Sequence, residues 1–178
     1  APCGHCYSCG KGWLTQCQNL FESSLEPGGF SQWVRLPARL VELGLYRLPE
    51  TVGFAQGTLT EPLACCYHGL QALEVGENDS LLIVGDGPMG ILLAEVARTL
   101  GAGPIIMSGL SQERLARGAR AADYAINVGQ ENLSEIVGRL TNGKGADKVI
   151  VTVGDVQVAA ESLALVGRGG AINFFAGL

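Results

Sequence analysis

The chain has 178 residues, 47% of them hydrophobic and 16% charged, enough for one well-buried core and a smaller appendage. Its net charge of -5 and pI near 5.0 offer no basic patch to a phosphate backbone, and no apolar run approaches the roughly 20 residues needed to cross a bilayer. Nucleic acid and membrane are thereby excluded as expected partners. The 26 glycines fall at the ends of apolar runs instead of in a repeat, which predicts tight turns between strands and helices.

The chain opens on Ala1-Pro2-Cys3, with no initiator Met and no signal-peptide pattern, and reads as starting within a longer protein. Cys3, Cys6, Cys9 and Cys17 follow in C-x2-C-x2-C-x7-C spacing. Such a run can wrap four thiolates around one zinc ion, closing the site so that it pins a loop without taking part in chemistry. Disulfides would need an oxidising compartment that nothing else implies, and the short iron–sulfur motif places its fourth Cys three residues on, with Pro following. Here Gln18 follows Cys17. His5 reads as a loop residue, not a fifth ligand, and the adjacent Cys65 and Cys66 as buried, unreactive thiols whose side chains diverge.

Alternation of apolar and polar residues over Phe30–Leu36, and a shorter run at Leu45–Leu48, predict the closing strands of a β domain. From Phe54 to Leu73 the spacing turns helical, with Glu61-Pro62 at a first turn where Pro is tolerated. The expected domains are residues 1–60 and 61–178.

Ser80–Val84 is a short continuous apolar run of the kind buried on both faces of a parallel sheet, and it leads directly into Gly85-Asp86-Gly87-Pro88-Met89-Gly90. Met89, Leu92, Leu93, Val96 and Leu100 then share one helical face. A lone G-x-G-x-x-G is weak evidence. Strand, glycine turn and helix in this order are specific, because the glycines let backbone N–H groups approach a pyrophosphate. Further strands are predicted at Ile105–Met107, Tyr124–Ile126, Lys148–Thr152 and Ala171–Phe175, with helices from Ser111, over Leu133–Leu140 and over Val156–Val166. The fold class is therefore α/β, a doubly wound parallel sheet of the Rossmann type with five of its six strands present.

These residues resemble the zinc-dependent medium-chain dehydrogenases, in the branch of the sorbitol, iditol and threonine dehydrogenases. The resemblance spans essentially the whole chain. It rests on the Cys3, Cys6, Cys9, Cys17 lobe, on Gly28–Val34, on Thr60-Glu61-Pro62-Leu63-Ala64 ahead of His68-Gly69, on Val84–Gly90 and on Gly169–Gly177. It implies that residues 1–60 belong to a GroES-like β domain, of which only a remnant with its structural zinc lobe is present. It also implies hydride transfer between a secondary alcohol or polyol and a nicotinamide dinucleotide, with a catalytic zinc acting on the hydroxyl. Glu61 would be a direct or water-bridged ligand of that zinc, the bland alternative being a carboxylate at a helix N-terminus. The usual Cys and His-Glu ligands would lie upstream, so that the residues present do not complete a catalytic site. His68, following Glu61 on the expected helix, is expected to be a buried, hydrogen-bonded imidazole.

The resemblance further implies cofactor contacts from Gly85, Gly87, Pro88, Met89 and Gly90, and a nicotinamide site lined by Val153, Phe175, Ala176 and Gly177. At most one of Phe174 and Phe175 can face the cofactor, since neighbours alternate along a strand. NAD-specific relatives carry an acid at the end of the second strand, about 20 residues past the glycine loop. Here that place, after Ser108, is Gly109. Its loss removes a repulsion of roughly 1–4 kcal/mol at about 4 Å against a 2'-phosphate. Ser108, Ser111 and Arg114 could then serve as donors, so NADP is expected in preference to NAD. A homodimer or homotetramer, a small-molecule alcohol or polyol substrate and a cytoplasmic location complete the implied picture. The rival implications are a non-catalytic nucleotide-binding relative and a zinc-free quinone reductase-like cousin.

Overall fold

The structure is a computed structural model that describes residues 1–177. It divides into two compact units, Ala1–Gly53 and the chain from Phe54 onward.

The first unit has almost no apolar interior. It contains α1 (Tyr7–Gly10), a 3-10 turn at Leu14–Gln16 and α2 (Ala38–Gly44), with Cys17 its one buried residue among those described. The strands expected at Phe30–Leu36 and Leu45–Leu48 do not form. A single antiparallel bridge joins Glu26 to Arg35, and a strand without a neighbour to take its N–H and C=O groups has no ladder to hold it extended. Alternation reports what a strand would bury, and Phe30 and Trp33 stay exposed. Arg39 does part of the work a core would do. Its guanidinium donates to the carbonyls of Ala1, Pro2 and Asn19, tying the unit's first residues to α2.

The second unit begins with α3 (Phe54–Gly57) and α4 (Thr60–Ala72). It continues as β1 (Leu81–Val84), α5 (Pro88–Thr99), β2 (Ile105–Gly109), α6 (Gln112–Gly118), β3 (Tyr124–Asn127), α7 (Leu133–Leu140), β4 (Ala146–Val151), α8 (Val156–Ser162) and β5 (Val166–Phe174). The strands form one sheet in the order β3-β2-β1-β4-β5, and every pair is parallel. The doubly wound fold read from the alternation is thus present. All four residues of β1 are buried. Leu81 and Ile83 join one apolar layer with α4, α5 and α6, whereas Leu82 and Val84 join the other with α7 and α8, as expected when successive side chains point to opposite faces.

Two details depart from the expected pattern. Of the Met89, Leu92, Leu93, Val96, Leu100 stripe only Leu93 is fully buried, together with Gly90, Ala94 and Ala97, and the other four are half-buried against the same layer. Small residues face the sheet because the helix lies close to it: a Cβ on Gly90 would come well inside 3.0 Å of the Gly85 carbonyl oxygen. The fifth strand starts at Val166, five residues ahead of Ala171. Its register against β4 shifts between Ala146 and Lys148, and Gly167 and Gly170 press so closely on the backbone of residues 144–147 that no Cβ would fit. What reads as turn glycine is close backbone approach within a strand.

Candidate functional site

Four thiols converge in the first unit. The Sγ atoms of Cys3, Cys6, Cys9 and Cys17 all lie within 4.8 Å of one another, with Cys3–Cys9 at 4.0 Å and Cys6–Cys17 at 3.9 Å. A tetrahedron with Zn–S bonds of about 2.3 Å has edges of about 3.8 Å, so the donor set has the size and chemistry of a closed zinc site. Backbone geometry prepares it. The N–H of Cys3 donates to Cys17 Sγ at 3.2 Å and that of Cys6 to Cys3 Sγ at 3.3 Å. Backbone donors from Cys9 and Gln18 lower the Cys6 thiol to about 6, while burial pushes Cys9 up to about 11. Burial would also raise Cys17, but backbone donors from Cys3 and Asn19 outweigh it and hold that thiol below its usual value. All six cysteines are free. His5 is exposed, with Nδ1 2.9 Å from the Cys3 carbonyl oxygen, and is no part of the cluster.

Among the described residues this is the one grouping of three or more potential ligands. Glu61 stands on the first turn of α4, exposed, and accepts a hydrogen bond from Cys65 Sγ at 3.1 Å. That contact raises the Cys65 thiol, and burial raises Cys66 to about 11. The paired-burial expectation holds for Cys66 but not for Cys65, which is exposed, because neighbours on a helix point about 100° apart. His68 is exposed as well, not buried as expected; it falls on the outer side of α4 while Gly69 and Leu70 face the core.

The second site lies at the carboxyl edge of the sheet, where the strand order reverses between β1 and β4. Gly85 adopts φ 125, and a Cβ there would overlap Thr152 Oγ1, so the turn after β1 needs glycine on both counts. At Gly87 the space beyond the backbone is open. Pro88 starts α5, and no side chain caps this helix. By contrast Ser111, Asn132 and Asp155 cap α6, α7 and α8 with their side-chain oxygens. The Met89 and Gly90 amides therefore lack an acceptor within the helix. Uncapped donors, an approachable glycine backbone and a helix of 12 residues behind them fit a diphosphate group.

A cavity of about 560 Å³ adjoins this turn on the α7 and α8 side. Of the residues expected to touch a cofactor, it gathers Gly85, Ser108, Gly109, Arg114 and Val153. Gly87, Pro88, Met89 and Gly90 sit beside it at the head of α5, outside its lining. Phe175, Ala176 and Gly177 also lie outside, at the same edge: the N–H groups of Phe175 and Ala176 donate to the Val151 carbonyl. Phe175 packs into the core against Gly69, and Phe174 is the more exposed of the pair.

Sequence reasoning passed over Asp86. It is 6% exposed, lines the cavity, accepts the Ser111 N–H at Oδ2 over 2.7 Å and pairs through Oδ1 with Arg114 Nε at 3.3 Å. An acid in the turn coupled to a glycine ending β2 was the available signal. Glu131 and Asn132 also line the cavity, brought there by topology alone.

Fold and sites together define the class: residues 88–178 match the family model for zinc-binding dehydrogenases, and the chain belongs to that family. A sorbitol dehydrogenase of Halalkalibacterium halodurans is 34% identical over 172 residues, 94% of this chain and 49% of its own length. A protein of Sinorhizobium meliloti 1021 described as a zinc-binding dehydrogenase, bound to NADP, superposes with a TM-score of 0.86 at 25% identity, over 100% of this chain and 52% of its own. A short chain alcohol dehydrogenase of Escherichia coli CFT073, complexed with NADH, gives 0.83 at 26% identity, over 97% and 50%. The chain thus spans about half the length of the relatives it matches. No helix among the described residues is long and apolar enough to cross a membrane.

Proposed function

We propose that this chain supplies the dinucleotide-binding domain and the thiolate metal lobe of a zinc-dependent dehydrogenase that moves a hydride between a secondary alcohol or polyol and a nicotinamide dinucleotide. The observation carrying this reading is the uncapped N-terminus of α5 behind a glycine turn at the point where the parallel sheet reverses its strand order. Similarity to a sorbitol dehydrogenase supports the polyol class of substrate. Solved relatives that hold NADP and NADH support the dinucleotide.

In this reading the Met89 and Gly90 amides bind the diphosphate, with Gly85, Gly87 and Pro88 shaping the turn. Ser108, Gly109 and Arg114 border the adenosine ribose, and Val153 with Phe175, Ala176 and Gly177 borders the nicotinamide end. Cys3, Cys6, Cys9 and Cys17 hold one structural zinc. Glu61, exposed on α4, offers a carboxylate to a catalytic zinc. Once bound, the dinucleotide supplies a hydride carrier and the catalytic zinc a Lewis acid. The chain's own share is to orient the two reactants and to keep water from the transfer. Residues 1–60 and 61–178 would then be the catalytic-domain and cofactor-domain portions, in a cytoplasmic homodimer or homotetramer.

Titration with NADH and NADPH tests the reading, together with metal analysis and a panel of polyols and ketoses assayed on the full-length enzyme. Uptake of at least one dinucleotide and two zinc ions per full-length chain are expected. Failure to bind either dinucleotide would sink the proposal.

A further inference from the structure

The position left empty by glycine at the end of β2 is not empty in space. A Cβ built on Gly109 would fall well inside 3.0 Å of Asp86 Cγ and Oδ2, so the Asp86 carboxylate stands where a side chain from the end of β2 would begin. Each group that could have held a 2'-phosphate has another partner. Ser108 is 2% exposed, with Oγ directed to the Ile83 carbonyl at 3.5 Å. The Ser111 hydroxyl caps α6, accepting from the Arg114 N–H. The Arg114 guanidinium is paired with Asp86. The cavity wall carries three acids, Asp86, Glu131 and Glu161, against the single cation Arg114.

We infer that Asp86 is a specificity-determining residue: reaching over from the glycine turn, its carboxylate does the work of the acid that ends β2 elsewhere, accepting the ribose hydroxyls and turning away a 2'-phosphate. The inference rests on the dinucleotide reading above and narrows it to NAD, against the NADP preference suggested by Gly109 in sequence. A phosphate of nearly two negative charges would meet the Asp86 carboxylate at short range in the cavity, and the one nearby guanidinium is shared with Asp86 through its Nε. The ribose hydroxyls of NAD, in contrast, are donors that a carboxylate accepts directly. Gly109 is then retained for space, since any side chain there would displace Asp86.

The test is fluorescence titration of the full chain with NADH and with NADPH. NADH should bind at least about ten-fold tighter, Asp86→Asn should shrink that ratio about ten-fold by strengthening NADPH, and Arg114→Gln should widen it. Moving the acid, with Asp86→Ala and Gly109→Asp combined, should restore the preference for NADH. Tighter binding of NADPH by the unsubstituted chain overturns the inference, even if Asp86→Asn fails to fold, and so does an unchanged ratio in a folded Asp86→Asn variant. Binding of neither dinucleotide overturns the site reading itself, a distinct result.

Discussion

The two units keep their shape by different means. From Phe54 onward, order comes from apolar burial: two layers of aliphatic side chains on either face of a parallel sheet, with β1 wholly enclosed. In Ala1–Gly53 there is one buried residue among those described, a thiol, and the contacts that hold the chain are sulfur to amide and guanidinium to carbonyl. A segment this poor in core cannot offset its conformational entropy by burial, and a bound ion is the general remedy. The comparison teaches that one chain can carry a region ordered by apolar burial and another ordered by polar contacts around a set of four thiols.

The sharpest way to break this contrast is to remove the metal donors. Cys9→Ser, or chelation, should abolish bound zinc and render residues 1–53 susceptible to limited proteolysis, with an effect of roughly 10 kcal/mol on that unit, as for structural zinc in small peptides. Denaturant unfolding of the sheet, followed by far-UV circular dichroism, should change by less than about 1 kcal/mol. Collapse of the sheet along with the lobe would refute the independence of the two mechanisms.

A smaller but still large effect is expected within the sheet. Ile150 is fully buried on β4 and packs toward Gly69 of α4. Truncation by Ile150→Ala should cost about 3 kcal/mol from lost transfer energy and the cavity left behind, read from the urea midpoint, with zinc content unchanged.

The smallest effect concerns acid. Asp147 accepts the Ser80 hydroxyl at 2.5 Å and the Ser80 N–H at 2.9 Å, and these bonds lower its carboxyl below the usual value of 3.8. A carboxylate with a lowered folded pKa adds stability above its unfolded pKa and loses it as the pH falls through the folded one. Asp147→Asn should therefore destabilise the sheet near neutrality by less than about 1 kcal/mol, since Asp147 is exposed and screened. The difference from the parent should fade below about pH 4. A difference that stays constant down to pH 2 would assign the effect to shape instead of charge.

Much of the second unit was legible because its signals are local. Leu133–Leu140 is the helix its periodicity predicts, opened by Asn132, and the β1 run leads into its glycine turn as read. The Cys spacing likewise anticipated the convergence of four sulfurs. Where reading failed, the missing information was a partner. Phe30–Leu36 has a strand's alternation but no neighbouring strand, and β5 begins early because its glycines fit against another backbone. His68 and Cys65 face outward because α4 presents its other side to the core.

By itself, then, the sequence determined the order of strands and helices, the glycine turn and the donor set, since hydrophobic period, φ and ligand spacing are properties of neighbouring residues. Only the tertiary structure decided that the Asp86 carboxylate fills the space beside Gly109 and engages Arg114. Residue 86 lies in the turn after β1 and residue 109 ends β2, adjacent strands that meet only when the sheet forms, and no local pattern encodes that encounter.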